Sequence, residues 1–439
     1  MDLYKTRTYC NPLPIPNIPR GTDGWFGQAT KPATIAGPDY RSIADPTVLY
    51  HDGKWFLYPS YGMAYVSADF VTWRHVPTEP CCMKYSPAIV PWDGRFLLSG
   101  WNCPLYVGDT PLGPFSLLGD FIRPNGTPFR PTDPALFRDE DGRLYMYWFA
   151  SRPTPYRRIH CTHTLAAELD RTDPRRLLCE PVVIHEMNPQ GNWWERYGQY
   201  NQDTRFGWVE GQHLLKKDGR YYLVYSSAGT QFGSYALAAY YSDEGPLSGF
   251  VCQTNNPITF KRHGLVNGAG HGCVEHGPDG TLWAFYTCTV TCAHVYERRI
   301  GMDLVAVNDD GELWAPYGVT ETPHYAPGMV PDAHEGGNSP GLYPLTTYQL
   351  HKVTASSAVP GRDPLYALDE SPLTWWQPQS DDPAPRLEVN LEAPYVTEAS
   401  RVFWRDIGLD YDHGATPGPY QYLLEGKPDK DRDEWVVLV

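Results

Sequence analysis

Apolar positions in the first three quarters of this chain come in short alternating runs, and five of those runs share one layout. Each opens on a polar residue, continues as an apolar strand, turns at Asp-Gly and returns through a strand rich in aromatics. They read DPTVLYHDGKWFLYPS from Asp45, SPAIVPWDGRFLLSG from Ser86 and DPALFRDEDGRLYMYWFAS from Asp133. The fourth is EGQHLLKKDGRYYLVYSS from Glu210, and the last is HGCVEHGPDGTLWAFYT from His271. Asp-Gly between two strand-like runs marks a hairpin, because a tight turn needs positive φ. Five such hairpins in order, each followed by further strand-like sequence, form an internal repeat. Those second halves include YVSADFVTWRHV, YVGDTPLGPFSLLG, YALAAYYSDEGPLSGF and RRIGMDLVAVNDDGELW. Roughly four strands per unit is one propeller blade. The pattern predicts an all-β chain with a five-bladed β-propeller over residues 1–320, N-terminal leader included; a stack of β-sandwiches is the competing architecture. Residues 321–350, rich in Pro, Gly and His, read as a linker or extension. Residues 351–439 read as a β-sandwich of a different kind, truncated.

Composition agrees with this class. Aromatics make up 14% of the 439 residues, and 40 Gly and 43 Pro punctuate them. A net charge of −15 argues against nucleic acid or an anionic membrane as partner and fits a neutral ligand. No run approaches the ~20 apolar residues of a membrane-spanning helix. The first 19 residues lack an apolar signal core, so the expected location is cytoplasmic; secretion or export to the periplasm with the signal removed is the alternative. Ten Cys at irregular spacings do not form a disulfide framework. Cys288, Cys292 and His294 have no second matching pair and read as structural.

The first polar residue of each repeat lies seven or eight residues before the turn Asp, which makes Asp45, Ser86, Asp133, Glu210 and His271 near-equivalent. The first strand of a blade lines the central channel, so these residues converge near one mouth. An Asx turn at either Asp-Pro, a structural role for Ser86 and a hydrogen-bonded core role for His271 are the bland readings. Glu210 fits neither a turn nor a strand by preference. Three converging carboxylates repel, which raises at least one pKa, as a general acid requires. Glycoside hydrolysis needs this inventory: one protonated carboxyl to assist the leaving oxygen and one ionised carboxylate to activate water or attack. His271 sits in NGAGHG, where no helix follows and a dinucleotide-binding reading fails. Its functional reading is a channel-lining ligand for metal or water. The turn just beyond Glu275 and His276 suggests that those two face solvent.

The ordered set IADPTVLYHDGKWFLYPS, PTDPALFRDEDGRLYMYW, WVEGQHLLKKDGRYYLVYSS and NGAGHGCV resembles glycoside hydrolase family 43 over about residues 9–320. The resemblance implies an inverting enzyme with Asp45 as general base, Glu210 as general acid and Asp133 tuning the acid and orienting substrate. It implies a bound calcium or water beside His271, no organic cofactor, and an arginine near the substrate, Arg298 or Arg299. The opening YCNPLPIPNIPRG is similar to a leader that some members fold across the propeller. From about 351, TASSA, LTWWQP, RLEVNLEAPYV and EWVVLV resemble a discoidin-type carbohydrate-binding module.

Sugars bind through aromatic faces and hydrogen bonds. Trp25 and Trp101 are the better platform candidates; Tyr61, Trp148 and Trp208 are as readily core residues. The resemblance implies arabinofuranosidase, xylosidase or galactofuranosidase activity on an oligosaccharide or polysaccharide, with an exo-acting α-L-arabinofuranosidase favoured. A non-catalytic carbohydrate-binding propeller and a retaining fructan-active enzyme are the competing functions. The first does not need the complete acid set, and the second carries a Trp-Met-Asn-Asp-Pro-type motif absent around Asp45.

Overall fold

The computed structural model describes residues 8–16, 42–70, 72–78, 85–151, 161–290, 298–329, 337–345, 352–405, 421–427 and 434–438. The chain divides into two compact units, Met1–Pro340 and Gly341–Val439. Both are β-structured, and among the described residues the only helical elements are short 3-10 turns.

The first unit contains five successive four-stranded antiparallel arrays. The first holds Thr47–His51, Lys54–Tyr58, Met63–Ser67 and Arg74–Pro77. The second holds Ala88–Trp92, Arg95–Ser99, Leu105–Gly108 and Phe115–Gly119. Thr132–Arg138, Leu144–Ser151, Cys161–Leu169 and Val182–Glu186 make the third. Val209–Lys217, Arg220–Ser227, Ala236–Ser242 and Val251–Cys252 make the fourth. The fifth consists of Asn267–His276, Leu282–Thr289, Arg298–Val307 and Leu313–Trp314. A single parallel pairing, Ala236 with Ala269, joins the fourth array to the fifth.

The hairpins explain the repeat spacing. Asp52-Gly53, Asp93-Gly94 and Asp218-Gly219 all have both residues at positive φ, the two-residue turn that matches strand twist. The third and fifth hairpins are longer: Asp139 N donates to Arg143 O and Gly277 N to Thr281 O, which leaves three-residue loops that end in Gly142 and Gly280. The extra loop residue adds one to the count between strand start and turn Asp.

Packing runs in a cycle. Separate apolar clusters join the first array to the second (Phe56 and Tyr58 with Phe96 and Leu98) and the second to the third (Val90 and Leu97 with Met146 and Trp148). Others join the third to the fourth (Tyr145 and Tyr147 with Leu214 and Leu223) and the fourth to the fifth (Tyr222 and Val224 with Ala284 and Tyr286). The largest joins the fifth back to the first through Trp283, Phe285 and Met302 against Val48, Trp55 and Leu57. Trp148 is 4% exposed and packs in the cluster between the second and third arrays.

The leader residues 8–16 pack on the fifth array. Thr8–Tyr9 pairs with His324–Tyr325, and Leu13 N donates to Ile300 O at 2.8 Å. Asn11 donates to Met302 O at 2.9 Å and accepts from Met302 N at 2.8 Å.

In the second unit the described strands form two short antiparallel pairs, Val353–Ala355 with Leu387–Val389 and Glu425–Gly426 with Val436–Val437. Trp375 carries the Arg362 guanidinium 3.3 Å and the Arg405 guanidinium 3.8 Å from its ring centre. Two cations that close to one centre must lie on opposite faces, so this indole has no open face for a sugar.

Candidate active site

Register places one residue of each array in the same backbone state. Asp45, Ser86, Asp133 and His271 have φ of 56°, 48°, 45° and 42°. The fourth residue of this set is Gly211, at φ 61°, and not Glu210. Counting from the hairpins gives the same answer: Gly211 lies seven residues before Asp218, as Asp45 and Ser86 do before two-residue turns, whereas Asp133 and His271 precede three-residue turns by eight. Glu210 therefore enters from one position earlier. Left-handed backbone costs a non-glycine residue about 1–2 kcal/mol, and four such residues at equivalent positions concentrate strain where function is expected.

The glycine at the fourth position has a packing reason. A Cβ on Gly211 would stand 2.8 Å from Cγ of His271. The imidazole of the fifth array fills the space that a side chain of the fourth would take. Gly270 has a similar role: a Cβ there would lie 2.5 Å from the Tyr235 ring.

Hydroxyls tie three of the strand starts to the preceding array. Thr287 Oγ1 accepts from Asp45 N at 2.7 Å, across the contact between fifth and first arrays. Ser60 Oγ accepts from Ser86 N at 3.3 Å, and Ser226 Oγ accepts from His271 N at 2.6 Å. Ser42 bridges to Arg298, so the chain reaches Asp45 already anchored on the fifth array.

Asp45 is 5% exposed and Arg298 4%. Arg298 Nη1 donates to Asp45 Oδ1 at 3.3 Å, and Ser60 Oγ donates to Asp45 Oδ2 at 2.6 Å. His271 Nδ1 lies 3.6 Å from Asp45 Oδ1. Burial alone would push the Asp45 carboxyl up, but Arg298, His271 and the hydrogen bonds from Ser60 and Thr287 outweigh it and hold it below the usual range. Arg298 is also held by Ser42 Oγ at 3.0 Å and Thr230 Oγ1 at 2.9 Å. Its neighbour Arg299 donates instead to the Arg298 carbonyl, and Arg298 is the arginine of this cluster.

Asp133 has the opposite electrostatics. It accepts from Ser86 Oγ at 2.7 Å, yet burial, with the charges of Glu210 and Asp45 added, pushes it up to about 7 against the opposing pull of His271 and Ser86. Glu210 accepts from Tyr235 Oη at 2.5 Å and from Trp208 Nε1 at 2.8 Å. Burial and the adjacent Glu210 raise Tyr235 well above an ordinary phenol, so it stays a donor. The cluster thus holds one ionised carboxylate, one carboxyl that keeps its proton to near-neutral pH, and a third fixed by two donors. That combination can deliver a proton to one atom and take one from another.

The other sequence-predicted residues sort as follows. Trp208 is half-buried and acts as a donor to Glu210. Tyr61 is 4% exposed, and its ring lies 5.4 Å from Tyr85, which lies 6.2 Å from Trp101. Trp101 is partly exposed at the end of that aromatic row. Trp25 lies outside the described residues. Glu275 and His276 are half-buried rather than solvent-facing, and burial pushes Glu275 up to about 7. Sequence reasoning missed Tyr235, Ser60 and Thr287. Nothing local marks them, although the spacing of seven against eight was a signal for Gly211.

A cavity of about 480 Å³ is lined among others by Tyr197, Gln199, Gln202, Arg205 and Phe232, and by none of the three clustered carboxylates. Tyr197 connects it to the site, its ring 6.3 Å from that of Trp208.

A calcium ion takes six to eight oxygen ligands. Here the imidazole of His271 stands beside Asp45, whose oxygens are engaged by Ser60 and Arg298. Among the described residues no group of three or more His, Cys, Asp or Glu is arranged to hold a metal. The residues present do not make a protein cage for calcium.

The model of glycosyl hydrolases family 43 matches residues 39–313, which contain all five repeats. The chain is 28% identical over 259 residues to a xylan 1,3-beta-xylosidase of a Vibrio species, covering 51% of this chain and 42% of that protein. It is 26% identical over 274 residues to a beta-D-galactofuranosidase of Aspergillus niger, covering 54% of this chain and 71% of that protein. The chain thus spans under half of the first relative and about seven-tenths of the second. Its fold is similar to that of a thermostable family-43 glycoside hydrolase, with TM-score 0.55, 21% identity, and 68% of this chain and 98% of that chain covered. It is also similar to an endo-1,4-beta-xylanase structure from Bacteroides thetaiotaomicron, with TM-score 0.51, 22% identity, and 65% and 97% covered. The family model spans well over half the chain and takes in every carboxylate of the cluster: the chain belongs to glycosyl hydrolase family 43.

Proposed function

We propose that this chain is an inverting exo-glycosidase that removes terminal furanosides or pentosides from plant or microbial oligosaccharides and polysaccharides, with α-L-arabinofuranosides as the favoured substrate. One observation carries the reading: the cluster separates its carboxyls electrostatically, with Asp45 held ionised against Arg298 while Asp133 is raised beside Glu210. In this reading Asp45 takes a proton from water as the water oxygen attacks the anomeric carbon. The proton that the Asp133–Glu210 pair retains passes from Glu210 to the glycosidic oxygen as the C–O bond breaks. Asp133 tunes Glu210 and orients the sugar, and Arg298 keeps Asp45 ionised. Tyr61, Trp101 and, outside the described residues, Trp25 would contact the sugar.

Cyclic packing of five four-stranded arrays supports a five-bladed β-propeller, because each array has an apolar neighbour on both faces only if the ring closes. A discoidin-type sandwich in residues 351–439 rests on sequence order. Calcium at His271 would be held largely by water, and no step is routed through it. Dialysis against EDTA is expected to leave activity within about twofold; a larger loss restored by Ca²⁺ would assign the ion a role.

Two other sugars keep a place because relatives carry their names: β-xylosides, from the Vibrio protein, and β-galactofuranosides, from the Aspergillus protein. Incubation with a panel of nitrophenyl arabinofuranosides, xylosides and galactofuranosides, read by nitrophenol release, ranks the three. Proton NMR of the first-formed sugar should show the inverted anomer. Early retention of configuration would exclude water activation by Asp45, and binding without release would favour a carbohydrate-binding propeller.

A further inference from the structure

A second buried acid lies outside the cluster. Glu195, in the 3-10 turn Trp193–Glu195, is 0% exposed. Its carboxylate accepts from His185 Nε2 at 3.1 Å, Asn192 Nδ2 at 2.9 Å, Tyr225 Oη at 2.6 Å and the backbone N–H of Asn188. The His185 ring packs against Tyr225 and Tyr240, tilted 46° and 42° to them, with centroids 4.3 and 4.6 Å away. His185 comes from the outermost strand of the third array, and the two tyrosines from the fourth. The His185 and Glu195 side chains are both 0% exposed, so no substrate reaches this pair. Four donors on a carboxylate without access to solvent describe an anchor rather than a second active site.

What hangs from the anchor leads to the acid. The Trp194 indole donates to Tyr225 Oη at 3.0 Å, and the Trp194 carbonyl accepts from Ser227 Oγ at 2.9 Å. The Glu195 carbonyl accepts from the Trp208 backbone N–H at 3.2 Å. Trp208 in turn places its Nε1–H 2.8 Å from Glu210 Oε2. An unbroken series of contacts thus runs from the buried carboxylate through the Trp208 main chain to an oxygen of Glu210. The same loop carries Tyr197 and Gln199, which line the cavity next to Trp208.

We infer that Glu195, held by His185, Asn192 and Tyr225, is a positioning residue that sets the Trp208 indole against Glu210 and thereby aims the acid at the leaving oxygen. The inference rests on the reading of Glu210 as the general acid. It predicts a defect confined to proton donation. A glycoside with a poor leaving group needs that proton, whereas one with a dinitrophenolate leaving group departs without it.

The test compares Glu195→Gln, Tyr225→Phe and Glu210→Gln on two glycosides of whichever sugar the panel identifies, one alkyl and one dinitrophenyl. Gln keeps the shape of Glu195 but turns an acceptor into a donor facing Asn188 N–H. Phe keeps the Tyr225 ring and removes one hydroxyl, which guards against a Gln variant that fails to fold. For Glu195→Gln, kcat on the alkyl glycoside should fall about 10- to 100-fold, with KM and the dinitrophenyl rate within about threefold of the parent. Tyr225→Phe should show the same selectivity to a smaller degree. Equal losses on both glycosides, or no loss, would overturn the inference, because a purely structural role moves both alike. If Glu210→Gln discriminates between the glycosides while Glu195→Gln and Tyr225→Phe do not, only the positioning role falls. If Glu210→Gln does not discriminate, the acid assignment fails and takes the inference with it.

Discussion

Glu210→Gln is expected to lower kcat on an unactivated glycoside by about 10²–10⁴-fold, the usual range for a lost general acid, with the thermal midpoint nearly unchanged. The amide keeps an acceptor for the Tyr235 hydroxyl, and the side chain is only partly buried. Asp45→Asn should cost as much or more, and it should do so on activated glycosides too, because water activation is needed whatever the leaving group. This contrast separates the two roles: the Glu210 variant regains turnover as the leaving group improves, and the Asp45 variant does not. Steady-state kinetics on a series of aryl glycosides gives the answer. If both variants kept near-parental turnover, the carboxylate cluster would not be the catalytic centre.

The second large effect is expected from Arg298→Met. Arg298 and Asp45 are buried together, and removing one partner of such a pair leaves an uncompensated charge, typically at about 3–5 kcal/mol. The sign with pH follows from the shift. Asp45 titrates lower in the folded protein than in the unfolded chain, so its contribution to stability is present above the unfolded value near ~3.9 and is lost as pH falls. Without Arg298 the burial that pushes Asp45 upward is no longer outweighed to the same extent. The acidic limb of kcat/KM should therefore move to higher pH, and the stability gained as pH rises towards ~3.9 should shrink. Asp133 works in the other direction. Its carboxyl is raised to about 7, so it takes stability away as pH rises from the unfolded value of ~3.9 to about 7, and its ionisation at the top of that range alters the field at Glu210. Thermal melts and pH–rate profiles of Arg298→Met and Arg298→Lys report both effects. An unmoved acidic limb in Arg298→Met would show that Asp45 does not depend on this guanidinium.

Much of the site could be read from the chain because the repeat is local. Asp45, Asp133 and His271 were placed by their distance from a hairpin turn, and backbone register agrees with that placement. The same count put Glu210 one residue off. It counted to the turn Asp in every repeat, but that Asp is the first loop residue in two-residue turns and the second in three-residue turns. Trp208, a candidate sugar contact as readily read as a core residue, donates to Glu210, and its main chain is tied to the Glu195 carbonyl 13 residues earlier, neither of which local sequence shows.

Taken by itself, the sequence determined the strands, the hairpins, the five-fold repeat and the inventory of acids. These depend on period-two alternation and on turn residues that act over a few positions. Tertiary structure alone decided how those acids differ. Asp45 meets Arg298 across 253 residues, Thr287 reaches Asp45 across 242, and Tyr235 reaches Glu210 across 25. A carboxyl takes its protonation state from its burial and its neighbours, and both exist only once the fifth array packs against the first.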